Sequence, residues 1–314
     1  CTKRENQYYR LSMQLTKIHT LDLIFQGRPG TIAAYLLPHT QGAALVETGP
    51  GSTIPALIEQ LKNYNYLPSD ITDVFLTHIH LDHAGAAGWF AQQGATIHVH
   101  PMGAPHLENP EKLLLSAGRI YGSQMSYLWG EYIPVLKDRL HVMQDGEVFQ
   151  CSNLSVRAID VPGHAYHQYA YLVDDTCFTG DIGGIRVNNL HYLSIPMPPP
   201  EFHLEKWRKS IHRLISERPK RIAPTHFGVY DDAEWHLNEL LRALDRIDIW
   251  MQEVLPADPP IETLRQMFTE YEQQRASQAG LSNQDVEAQQ IANPSFMSAD
   301  GILRYWKKYR SQST

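Results

Sequence analysis

Thr77-His78-Ile79-His80-Leu81-Asp82-His83-Ala84-Gly85 holds three histidines and one carboxylate within residues 78–83, and the rest of the chain is read outward from it. Just before it, Val74-Phe75-Leu76-Thr77 is apolar and β-branched enough for a buried strand, whose end delivers the polar cluster into a loop. In an extended segment residues i and i+2 share a face, so His78 and His80 can point at one metal ion. Asp82 and His83 fall past the bend, where Ala84 to Gln93 reads as a helix, and can reach a second point nearby. One lone histidine would mean little. Four residues of ligand type at this spacing, directly after an apolar strand, are the usual donors to divalent metals.

The 314 residues, 43% of them hydrophobic, are enough for a sizeable core and for one large domain with an appendage. A formal charge of −7 argues against a surface built for the phosphate backbone of nucleic acid. Cys1, Cys151 and Cys177 are too few and too scattered for a disulfide framework or a thiolate metal site, which fits a reducing, cytoplasmic setting. No apolar run reaches the roughly 20 residues needed to span a bilayer, so no membrane partner is expected. Residues 1–12 read as a polar tail, with Met13 an ordinary candidate start and a lipid-modified Cys1 the alternative.

Three strands are expected at Ile18–Phe25, Thr31–Leu37 and Ala43–Thr48, antiparallel because the turns between them are short. After Gly49-Pro50-Gly51-Ser52 a helix runs to about Asn63, followed by the strand before His78, the helix from Ala84, and a strand at Ala95–His100. From 101 to 139 this alternation stops, and Tyr121, Met125, Tyr127, Leu128, Trp129 and Tyr132 suit either a satellite core or a lid over a pocket. Strands resume at Leu140–Met143, with Asp145-Gly146 as a hairpin-like turn before Val148-Phe149. Leu154–Val161 and Tyr169–Thr179 follow as single strands, then a helix at Leu204–Ser216 and a short strand at Arg221–Thr225. Beyond Asp231 the chain is charged and helix-like, broken at Pro256-Ala257-Asp258-Pro259-Pro260, with a mobile link over 275–297.

His164, Asp181 and His226 each follow an expected strand directly, beside a glycine or proline that lets the backbone turn sharply. His78, His80 and His164 can then hold one ion, Asp82, His83 and His226 the other, and Asp181 can bridge the two. His98 and His100 read as structural, and His167 as a neighbour that orients a ligand or the substrate.

With these residues in view, the chain resembles the metallo-β-lactamase superfamily, whose hallmark His-x-His-x-Asp-His matches His78 to His83. The resemblance covers roughly residues 15–230. It implies an α+β, four-layer αββα sandwich, with 1–12 as tail, 13–231 as catalytic domain and 232–314 as a helical C-terminal extension. The bridging position of Asp181 resembles the glyoxalase II type, and a histidine at position 80 argues against the diiron flavoprotein branch.

Two divalent ions bring four positive charges and the carboxylates of Asp82 and Asp181 remove two, so the centre stays cationic. A water bridging such ions loses its proton near neutral pH, because a metal lowers its pKa from about 15.7 to about 7. That chemistry suits hydrolysis of a small ester, thioester or lactone, with Asp82 orienting the nucleophile and shuttling a proton. Zinc is the default metal, while iron and manganese also accept imidazole and carboxylate. The alternatives are a phosphodiesterase or nuclease, a single-iron sulfur dioxygenase, and a non-catalytic metal-binding module. Leu240, Leu241, Leu244, Ile247, Trp250 and Met251 lie at helical spacing and read as core, with a homodimer interface as the second reading.

Overall fold

The protein is described by a computed structural model covering residues 15–187 and 190–311, so the expected tail at 1–12 lies outside the described residues. In chain order the first half contains β1 (His19–Asp22), β2 (Ala33–His39), β3 (Gly42–Val46), α1 (Ile54–Asn63) and β4 (Ile71–Phe75). There follow α2 (Leu81–Ala84), α3 (Ala87–Gln92), β5 (Thr96–Val99), α4 (Ala104–Glu108), α5 (Glu111–Tyr121), α6 (Met125–Trp129) and β6 (Leu140–Val142). The second half contains β7 (Val148–Cys151), β8 (Leu154–Asp160), β9 (Tyr169–Val173), β10 (Thr176–Phe178), α7 (Leu204–Glu217) and β11 (Arg221–Ala223). Four helices end the chain: α8 (Ala233–Val254), α9 (Ile261–Gln278), α10 (Asn283–Ala292) and α11 (Ser295–Tyr309).

Strands β1 to β6 form one sheet in sequence order, and the second runs β11-β10-β9-β8-β7. Both faces of each sheet are covered, which is why the central strands read as continuous apolar runs. The period of two sorts their residues. In β2, Ala34 and Leu36 pack outward with Leu57 and Leu61 of α1, whereas Ala33, Tyr35 and Leu37 face the second sheet. Outside the second sheet, Trp207, Ile211 and Leu214 of α7 share a core with Leu240, Leu244, Ile247 and Met251 of α8, as their helical spacing requires. Helix, sheet, sheet, helix is therefore the observed layering, and the C-terminal helices build onto its last layer.

Three tyrosine hydroxyls donate to carbonyls near the ligand loops. Tyr171 donates to Leu76 O (2.9 Å), Tyr169 to Met143 O (2.9 Å) and Tyr35 to Pro224 O (2.5 Å). The first two join the second sheet to segments of the first, and the third runs the other way. Away from these loops Asp73 of β4 forms a further link between the sheets. Its carboxylate accepts from His98 Nε2 (2.7 Å), Thr72 Oγ1 (2.6 Å) and Cys151 Sγ of β7 (2.9 Å), and His98 stacks on Phe75 at 4.2 Å. His98 is thus structural, as expected. Burial raises the Asp73 pKa, but the donors His98, Cys151 and Thr72 prevail and hold it at about 2. Asp73→Ala should cost roughly 2–4 kcal/mol, since it strands buried donors, and urea unfolding at neutral pH measures it. The pKa is depressed in the folded state, so the carboxylate's contribution is present above pH 3.8 and is lost as pH falls toward about 2. The stability gap between wild type and Asp73→Ala should narrow over that window.

Outside the ligand loops, local readings differ from the structure in three places. Tyr169–Thr179 is not one strand but the antiparallel pair β9–β10, because Asp174 adopts φ 51°, a left-handed conformation that aspartate tolerates in a turn. Asp145-Gly146 does not close a hairpin: β6 pairs parallel with β5, and β7 starts the other sheet. The polar stretch 275–297 is not a link but the end of α9 and the whole of α10, which opens on a capping box between Ser282 and Asp285.

Candidate metal centre

All seven side chains proposed as ligands converge at one rim of the sandwich. His78 and His80 leave the end of β4, and Asp82 and His83 sit in the single turn of α2 rather than before a helix starting at Ala84. His164 follows β8 across Gly163, where a Cβ would lie 2.5 Å from Trp207 Cα, so glycine is what lets α7 pack there. Asp181 follows β10 after Gly180, which has φ 54° and leaves only 2.2 Å between a would-be Cβ and Thr77 Oγ1. His226 follows β11.

Two triads result. His80 Nδ1 lies 2.9 Å from His78 Nε2 and 3.0 Å from His164 Nε2. In the other, His83 Nε2 is 3.5 Å from Asp82 Oδ2, and His226 Nε2 is 3.4 Å from the same oxygen. Asp181 stands between them. Its Oδ1 is 3.2 Å from His83 Nε2 and 3.5 Å from His226 Nε2, while Oδ2 is 3.4 Å from His164 Nε2.

The far sides of the rings fix which nitrogen is free. His164 Nδ1 donates to Pro196 O (2.9 Å) and His226 Nδ1 to Thr31 O (2.7 Å). Because a carbonyl only accepts, both imidazoles carry a proton on Nδ1, and Nε2 is the nitrogen that faces the site and offers a lone pair when the ring is neutral. His83 Nδ1 is likewise 3.0 Å from Glu47 Oε1. Such outer partners set the tautomer and orientation of metal-binding histidines.

Glu47 is the functional residue that sequence reasoning missed. It is fully buried, and beyond His83 it accepts from Thr77 Oγ1 (2.5 Å) and Thr225 Oγ1 (3.0 Å), each from the residue preceding a ligand histidine. The signal existed: Glu47 ends the apolar run Ala43–Val46 two residues before a glycine, the same pattern that marked His164, Asp181 and His226.

The residues fit divalent cations on two grounds. A tetrahedron with bonds of about 2.0–2.1 Å has edges of about 3.3–3.4 Å, and four of the six separations among Asp82, His83, Asp181 and His226 run from 3.2 to 3.5 Å, while the nitrogens of His78, His80 and His164 are closer together, at 2.9 and 3.0 Å. His83 Nε2, His226 Nε2 and Asp181 Oδ1 are buried with no hydrogen-bond partner, which is costly unless something positive lies among them. The electrostatics agree. Burial lowers the pKa of His83, but Asp82, Asp181 and Glu47 outweigh it and raise it well above the ordinary value. A proton on His83 answers the same negative charge that a cation would. Burial and the neighbouring His164 push His80 down to about 3, so it is a neutral donor at pH 7. Burial opposes ionisation of Asp82, yet His83 and His226 hold it at about 2.

Above this centre is a cavity of about 340 Å³. Of the aromatic and apolar residues suspected of forming a lid, Tyr121, Leu128 and Trp129 line it. Met125 and Tyr132 pack against the outer core of the first sheet, and Tyr127 is 64% exposed. His167 also lines it, and its Nε2 faces Glu201 Oε2 at 3.5 Å rather than a ligand histidine.

Comparison with known proteins places the fold in a family. A metallo-β-lactamase fold-containing protein of the archaeon Sulfurisphaera tokodaii is 31% identical over 175 residues, 54% of this chain and 66% of the relative. The lactamase-like protein adaB of Aspergillus niger is 29% identical over 173 residues, 52% of this chain and 44% of its own length. The chain thus spans a little under two thirds of the first and less than half of the second. Among solved structures, a metallo-β-lactamase family protein of Thermus thermophilus overlays with a TM-score of 0.64 at 19% identity, covering 93% of each chain. A second, the archaeal superfamily protein from Sulfolobus tokodaii, gives 0.60 at 24% identity over 73% of this chain and 86% of that one. The model of the metallo-β-lactamase superfamily matches residues 27–226, a span that takes in His78, His80, Asp82, His83, His164, Asp181 and His226, and the chain belongs to that superfamily.

Proposed function

We propose that the protein is a binuclear metal-dependent hydrolase of a small ester, thioester or lactone, of the glyoxalase II-like type. The observation that carries this reading is the placement of Asp181, with one carboxylate oxygen toward each triad. His78, His80 and His164 would hold one ion, Asp82, His83 and His226 the other, and Asp181 would serve both. The donors are all nitrogen and oxygen, which suits zinc first and also iron or manganese. When bound, such ions polarise a carbonyl and lower the pKa of water toward neutrality.

The chain's own residues do the rest. His164 and His226 keep their Nε2 lone pairs because backbone carbonyls hold their protons. Asp82 is ionised at neutral pH, and its side chain is 21% exposed, so an oxygen acceptor faces the cavity beside the reacting group. Its role is to orient the nucleophile and relay a proton. The walls exclude water from one side of the substrate.

The test is a panel of thioesters, lactones, esters and phosphodiesters, assayed before chelation, after it, and after metal is restored. Carbonyl substrates should be turned over only with metal present, and Asp82→Asn, a change at a ligand position, should weaken metal binding there and lower kcat of the metal-saturated variant by about a hundredfold or more. Turnover confined to phosphodiesters, or oxygen uptake with iron in place of hydrolysis, would replace this reading. Metal binding without any turnover would make the protein a binding module.

A further inference from the structure

Resting on that hydrolase reading, we infer that the substrate carries an apolar acyl chain of medium length, held in a slot built jointly by the 101–139 segment and the C-terminal helices. The floor of the cavity is polar, made by His80, Asp82, His164, Asp181 and His226, and it is where a scissile carbonyl belongs. The walls are different in kind. Helix α5 turns Leu113, Ala117 and Tyr121 inward at helical spacing, and α6 adds Leu128 and Trp129. The junction between α10 and α11 closes the other side through Ile291, Pro294 and Met297, and the Tyr121 hydroxyl lies 3.8 Å from Met297 Sδ across the slot.

Most polar side chains on these walls are occupied or peripheral, the exceptions being Trp129 Nε1 and His167 Nδ1, which are buried without a hydrogen-bond partner. Asn293 donates to Ser194 Oγ (3.0 Å) and accepts from Ser298 Oγ (3.2 Å), and Glu201 accepts from the Tyr166 backbone N–H (2.8 Å). Gln26, Lys112 and Ser116 are solvent-exposed, and His106 is half-buried. Lys112 is the only lysine or arginine among the described lining residues, and it is solvent-exposed, so the body of the slot offers no cationic partner to an anionic tail. An alkyl chain gains from leaving water for the apolar stretch made by Leu113, Ala117, Leu128, Ile291, Pro294 and Met297. A cavity of about 340 Å³ lies within the range of small-molecule sites, and a medium-length acyl chain is of the size that such sites take.

The experiment is hydrolysis of p-nitrophenyl esters from acetate to palmitate by the metal-loaded protein, with calorimetric binding of alkyl hydroxamates of the same chain lengths. The expected result is kcat/KM rising by about threefold to fourfold per methylene up to hexanoate or octanoate and falling by palmitate, with hydroxamate affinity following the same course. Ala117→Phe should move the optimum to butyrate or shorter, and Ile120→Glu, at an exposed position on the same wall, should flatten the rise. A profile that is flat or falls from acetate onward overturns the inference while leaving the hydrolase reading intact. If no ester is turned over, that reading fails, and the hydroxamates still decide: affinity independent of chain length rejects the apolar slot.

Discussion

Asp181→Ala is expected to lower the affinity for both ions and to take turnover below detection. The reason is positional. Its two oxygens stand between the triads, at 3.2 and 3.5 Å from the nitrogens of one and 3.4 Å from the other. Burial opposes its charge, but His83, His164 and His226 hold its pKa well below the carboxylate range, so it is ionised at any working pH. Removing it leaves three imidazoles without the charge they face. Loss of a mere outer partner costs metal sites about 10–100-fold in affinity, and loss of a ligand to both sites should exceed that. Elemental analysis of the gel-filtered variant, with circular dichroism to confirm its fold, measures the effect. His78→Ala should deplete one site, and Asp181→Ala both. Metal content equal to wild type would remove Asp181 from the ligand set.

The second large effect is expected at Glu47, which lies behind the ligand histidines. Its Oε1 gathers His83 Nδ1, Thr77 Oγ1 and Thr225 Oγ1 at 3.0, 2.5 and 3.0 Å, and so ties together the loops after β3, β4 and β11. Glu47→Ala leaves those buried groups without their partner, at a cost of about 3–5 kcal/mol by analogy with broken buried ion pairs. Glu47→Gln keeps an acceptor oxygen but not the charge, so it should remain folded and bind metal at the His83 position about 10–100-fold more weakly. Comparing the two by thermal unfolding and metal titration separates structural support from ligand orientation. A glutamine variant with wild-type metal affinity would reduce Glu47 to a structural role.

The readability of this site in the sequence has a physical basis. A strand that ends in a ligand beside a glycine or proline is a local pattern, and His164, Asp181 and His226 all announce themselves by it, as His78 and His80 do by following an apolar strand. The same pattern stands at Glu47, but a glutamate accepting hydrogen bonds from a histidine and two threonines 30 to 178 residues away has no signature in its own neighbourhood. Partner choice was illegible for the same reason. Asp145-Gly146 encodes a reversal of direction, and whether β7 returns to β6 or crosses to the other sheet depends on which surfaces are left to cover. At 275–297, a polar composition masked a helix whose stability comes from the capping box at Ser282 and from contacts such as Ile291 against the core of the first sheet. Composition reports solvent preference, while packing decides order.

The C-terminal helices have a consequence beyond stability. Ile291, Pro294 and Met297 come from a part of the chain that lies after residue 226, the last position matched by the superfamily's common pattern, and none of the seven ligands does. The two walls of the cavity therefore differ in source: Leu113, Ala117, Tyr121, Leu128 and Trp129 lie inside the matched span, while Ile291, Pro294 and Met297 lie beyond it. Exchange of the final eighty residues would replace one wall and leave the seven ligand positions at the base in place.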